Sequence, residues 1–63
     1  MIATWNDAKE LGYCSMGIRR WCAERGLSHL EFVRNGVSTA WLRQQNDAMA
    51  ERLADYVEKR QHG

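Results

Sequence analysis

Three glycines constrain this chain more than any other feature. Gly12, Gly26 and Gly36 each close a stretch of helix-forming residues, and each is followed within two or three positions by a serine; proline is absent from all 63 residues. Glycine just past a helix end takes up a left-handed conformation that side chains resist. A serine or threonine oxygen accepts one of the free N–H groups that open the next helix. With Thr4, Ser15, Ser28 and Ser38 as caps, this punctuation predicts four helices with very short connections: about Trp5 to Leu11, Met16 to Arg25, His29 to Asn35, and Thr39 to Arg60. Asn46-Asp47 can cap a new helix, so a break near Gln45 would make five. Ser28 with Glu31 three residues later matches the reciprocal capping box.

The apolar spacing agrees. Ile18, Trp21 and Cys22 share one face of the second helix, and Leu42, Met49, Leu53, Tyr56 and Val57 form a stripe at three- and four-residue steps on the last. No stretch alternates long enough to suggest a strand, although Phe32-Val33 is ambiguous. The expected fold is all-α: one compact helical domain over residues 1–63, with a helix-turn-helix over about 4–26 and a C-terminal helix over about 38–60.

Size and charge narrow the function. A chain this short holds one core, which is marginal by itself, and Trp5, Trp21 and Trp41 are expected to supply much of it. A homodimer through the stripe from Met49 to Val57 would add to it. Hydrophobic residues make up 44% and charged residues 27%, the balance of a folding chain rather than a disordered tail. Uncharged runs such as Leu11 to Ile18 fall far short of the roughly 20 apolar residues of a membrane span. No basic-then-apolar segment opens the sequence, so the expected setting is cytoplasmic and the two cysteines are expected to be free thiols. Nine basic against eight acidic residues give a net charge of +1, which argues against coating nucleic acid by charge alone and leaves contact from a small patch.

Such a patch lies between Trp5 and Trp21. Ala8 is small enough for a second helix to approach, Gly12 four residues on supplies the turn, and Leu11, Tyr13, Ile18 and Trp21 stand where apolar residues are needed. The helix starting near Ser15 is then the recognition helix, with Ser15, Met16, Gly17, Arg19 and Arg20 on or near its DNA-facing side. Arg19 and Arg20 can pair with guanine edges or phosphates. Ser15 can help hold a phosphate at the helix start, and Lys9 and Arg25 can add phosphate contacts. The stretch from Asp7 to Leu27, DAKELGYCSMGIRRWCAERGL, resembles the opening of excisionase-like and MerR-like helix-turn-helix domains, about a third of the chain. That resemblance implies DNA as the partner. Those families continue into a β-hairpin wing, whereas this chain continues through Ser28-His29-Leu30-Glu31 into another helix. The whole chain also looks like small proteins of unassigned role encoded by tailed bacteriophages and prophages, which implies a bacterial host cell.

Other constellations are weaker. Cys14, Cys22, His29 and His62 stand eight, seven and thirty-three residues apart, without the close pairs of a structural zinc site. No metal or cofactor is expected, with Cys22 buried and Cys14 partly exposed. Cysteine–histidine catalysis lacks an orienting third residue and room for a pocket, so no enzyme activity is expected. Asp7 with Glu10, and Glu51 with Asp55, read as solvated faces, with Asp55 and Lys59 as an i,i+4 pair. The alternative to DNA binding is a protein-binding adaptor or inhibitor that engages a phage assembly or host protein, for which the stripe of the last helix is a candidate docking surface.

Overall fold

Thr4 does two things at once: it ends an extended N-terminal segment and caps the first helix. The computed structural model describes the backbone of residues 1–62 and the side chains of residues 1–60. In chain order the elements are β1 (Ile2–Ala3), α1 (Trp5–Glu10), α2 (Ser15–Glu24), α3 (His29–Asn35), β2 (Val37–Ser38), α4 (Thr39–Gln44) and α5 (Ala48–His62). The protein is all-α apart from one small antiparallel pairing of β1 with β2, Ile2 opposite Ser38 and Ala3 opposite Val37. No helix among the described residues is long and apolar enough to cross a membrane.

That pairing corrects the expectation of no strand. It is two residues deep on each side, too short to show as alternation in a sequence, and Phe32-Val33, the ambiguous segment, is helical. It depends on Gly36, whose backbone has φ +73° and where a Cβ would come within 2.6 Å of the Ala3 carbonyl oxygen. Gly12 and Gly26 also have positive φ, so all three predicted stops take the conformation their residue type allows.

The caps differ from expectation at three helices. Ser28 flanks α3 but makes no side-chain cap bond, so the Ser28–Glu31 box does not form. The reciprocal box forms instead on α1. The Asp7 N–H donates to Thr4 Oγ1 at 3.3 Å, and the Thr4 N–H donates to Asp7 Oδ2 at 2.9 Å. Asp7 is therefore not on a solvated face: it is 1% exposed and pairs with the Arg60 guanidinium of α5. A carboxylate so deeply placed is tolerable because each oxygen has a donor. At α2 the cap is Cys14, whose Sγ accepts the Gly17 N–H at 3.3 Å, and Ser15 is the first helical residue.

The long last helix is two. Gln45 ends α4, Asn46 takes φ +51°, and Asp47 Oδ2 accepts the Ala50 N–H at 3.0 Å as α5 begins. The break lets α5 fold back on α4 and also reach α1 and β1. Ala8, Ile18, Phe32, Leu42, Leu53 and Val57 meet in the core, each at most 2% exposed. Burying each of the larger ones contributes about 1.5 to 3 kcal/mol. Trp21 is buried, while Trp5 and Trp41 lie half-buried against the core. Trp21 meets Trp41 edge to face at 5.7 Å, and Trp5 meets Phe32 likewise at 5.9 Å.

The α5 stripe is consumed by this packing. Leu53 and Val57 face the chain's own core, which leaves only half-buried Met49 and Tyr56 for the expected homodimer or docking contact. The expected Asp55–Lys59 pair is replaced: Asp55 and Glu58 both accept from Arg43 of α4, at 2.8 and 2.6 Å. A guanidinium shared by two carboxylates fixes the angle of the α4–α5 hairpin better than one mobile lysine on the same helix.

Candidate nucleic-acid interface

The turn between α1 and α2 is built by Ala8 and Gly12. Ala8 is fully buried, its carbonyl accepts the Tyr13 N–H at 3.2 Å, and Gly12 reverses the chain with φ +93°. Ile18, Trp21 and Cys22 then fasten α2 to the body by one side. Everything between them on the opposite side is exposed: Met16, Gly17, Arg19, Arg20, Ala23 and Glu24.

Arg19 and Arg20 are both exposed, and among the described residues neither forms an ion pair. Lys9 and Ser15 are brought together across the turn, Nζ donating to Oγ at 3.0 Å. This places an ammonium of α1 beside the first residue of α2. Four of the five predicted contact residues thus lie on α2's exposed side or at its start.

Arg25 stands apart. Its guanidinium lies over the Trp21 ring, 4.3 Å from the centroid, donates to the Trp21 carbonyl at 3.4 Å and pairs with Asp47 at 3.3 Å. Trp21 Nε1 donates to the other Asp47 oxygen at 3.1 Å. Burial pushes the Asp47 carboxyl up. The hydrogen bonds from Ala50 and Trp21 and the charge of Arg25 outweigh this and hold it below the usual carboxylate range. Arg25 ties α2 to the start of α5.

The residues missed in sequence are those that hold α2 rigid. Asp47 is recognisable as a cap from its neighbours, but its bonds to Trp21 and Arg25 join segments far apart in the chain. Of the four residues weighed as a metal set, Cys14 is exposed, Cys22 is buried, and the side chain of His62 lies outside the described residues. Cys22 is a fully buried core residue, and that burial pushes its thiol up.

What the arrangement offers chemically is a rigid helix presenting two guanidinium groups and little bulk elsewhere, with an ammonium near its start. No family model, curated protein or solved structure matches the chain.

Proposed function

We propose that this chain is a small phage-type DNA-binding or regulatory protein that docks α2 of its helix-turn-helix in the major groove of a duplex. The observation that carries the reading is the state of Arg19 and Arg20: side by side on the exposed face of a helix anchored by its other face, with no carboxylate partner among the described residues. An α-helix fits the major groove of B-form DNA, and arginine is the side chain best suited to guanine edges and phosphates there. Lys9, held at the start of α2 by Ser15, adds a positioning contact to the backbone.

The near-balanced total charge shapes the expected binding. Three cations, Lys9, Arg19 and Arg20, give a shallow salt dependence, with a slope of about −3 in log affinity against log salt. Replacing Arg19 and Arg20 together by alanine abolishes duplex binding while helicity is retained; a double variant that binds like the parent overturns the reading.

A second reading, a protein-binding adaptor, is favoured by α3. Leu30 and Val33, one turn apart on one face of the helix, are 62% and 53% exposed, a small apolar patch open to a partner. Under that reading Leu30→Ser with Val33→Ser removes the protein interaction and leaves duplex binding untouched.

A further inference from the structure

Resting on the DNA-binding reading, we infer that Arg19 and Arg20 have different jobs: Arg20 reads a guanine flanked by thymines, and Arg19 grips a phosphate at the edge of the groove. At about 100° per residue, the buried side chains of Ile18, Trp21 and Cys22 define the inward side of α2. Met16, Arg20 and Ala23, spaced by four and three, run down the opposite side as one outward ridge. Arg19 lies about 70° round from that ridge on one flank, and Glu24 about 70° round on the other.

The ridge has an order that suits base edges. Met16 is 74% exposed, the most exposed of the large apolar side chains, and the fold gives it no packing role. Ala23 at the far end is also exposed. An arginine between two apolar groups matches a guanine, with its two acceptors, between thymines, whose methyl groups are the apolar features of the major groove. From Met16 to Ala23 the helix rises about 10 Å, roughly three base-pair steps. The flanks are of opposite charge. A backbone phosphate is attracted on the Arg19 side and finds no free cation on the Glu24 side, where the carboxylate pairs with Arg25 at 3.7 Å, and this difference fixes how the helix lies in the groove.

The test uses the full chain and a library of duplexes with a randomised centre. Selection with the parent enriches a site with one guanine and a thymine within about two base pairs of it. Against that site and a scrambled duplex, Arg20→Ala and Arg20→Lys both lose the preference by about 5- to 150-fold, the lysine variant because it keeps the charge without the two-pronged fork. Arg19→Ala weakens both duplexes equally and lowers the salt slope by about 1, leaving the preference intact. Glu24→Gln strengthens binding to both. All three positions are exposed, so unchanged thermal unfolding is expected and confirms folding. The inference is overturned if Arg19→Ala erases the preference, if the two arginine variants behave alike, or if the parent binds all duplexes equally. In that last case the DNA-binding reading still stands. A parent that binds no duplex at low salt overturns both.

Discussion

The guanidinium of Arg60, near the end of α5, pairs with the buried carboxylate of Asp7 in the first turn of α1. The same guanidinium reaches Glu10 at 3.2 Å, and Glu10 accepts from the Tyr56 hydroxyl at 2.9 Å. The helix that precedes α2 is therefore held at both ends of its short length by α5. Asp7 carries the larger share, because it also completes the cap with Thr4. Asp7→Ala is expected to lose about 2 to 3 kcal/mol of unfolding free energy, from the cap and from hydrogen bonds to a charged group. Arg60→Ala leaves the buried Asp7 Oδ1 without its donor, but at a half-exposed position that water can enter, and loses about 1 to 2 kcal/mol. Urea titrations of the two variants check the ranking, and equal losses contradict it.

Gly36 and Gly26 share a positive φ but not an environment. At Gly26 a Cβ would meet open space, whereas at Gly36 it would meet the Ala3 carbonyl and the Ile2 side chain, each at 2.6 Å. Gly26→Ala is expected to cost about 1 kcal/mol from backbone strain alone. Gly36→Ala costs about 3 kcal/mol or more, and it breaks the β1–β2 pairing. Amide exchange at Thr39, whose N–H donates to the Met1 carbonyl at 2.9 Å, reports that loss directly.

Trp21 is anchored by its indole N–H to Asp47, under the Arg25 guanidinium. Trp21→Phe keeps most of the ring's packing and removes the donor, so it is expected to cost about 1 to 2 kcal/mol in thermal unfolding. A cost near zero would show that the bond does not fasten α2 to α5.

Acid weakens the fold in a defined window. Asp47 and Glu58 are both held below the usual carboxylate range, Glu58 by its hydrogen bond from Arg43. A folded value below the unfolded one, near 4, means a contribution that is complete above that pH and is lost as pH falls through the folded value. The urea midpoint is expected to be flat from about pH 7 to 5 and to drop below about 4, with a smaller drop in Asp47→Asn. Tyr56 acts at the other end. Its hydrogen bond to Glu10 raises its pKa, so its contribution is present below about pH 10 and fades as pH rises beyond the folded value, an effect absent in Tyr56→Phe.

Most of the fold is legible because its signals are local. The three glycines, with Ser28 and Ser38, place α3 and the start of α4 at their observed bounds, and the Asn46-Asp47 pair marks the break before α5. Cys14 escaped notice as a cap because sulfur is a weak acceptor and Ser15 beside it is a better candidate by type. The box on Thr4 and Asp7 does not stand out in the sequence because aspartate at the third helical position departs from the usual glutamate or glutamine. What the sequence could not reveal is long-range: the β1–β2 pairing, the hold of Arg60 on Asp7, and the joint of Trp21, Arg25 and Asp47. Arg25 shows the consequence, since nothing near it in the sequence marks the Trp21 ring and the Asp47 carboxylate as its partners.

On the proposed function, α2 binds a duplex and draws its affinity from its outward guanidinium groups. Titration of isotope-labelled chain with a duplex library at two salt concentrations, followed by amide shifts, addresses it most directly. The expected result is shifts confined to residues around Ser15 to Glu24 and to Lys9, weakened by salt and absent in the Arg19→Ala, Arg20→Ala double variant. No shift at low salt, or equal shifts in parent and double variant, would contradict the claim.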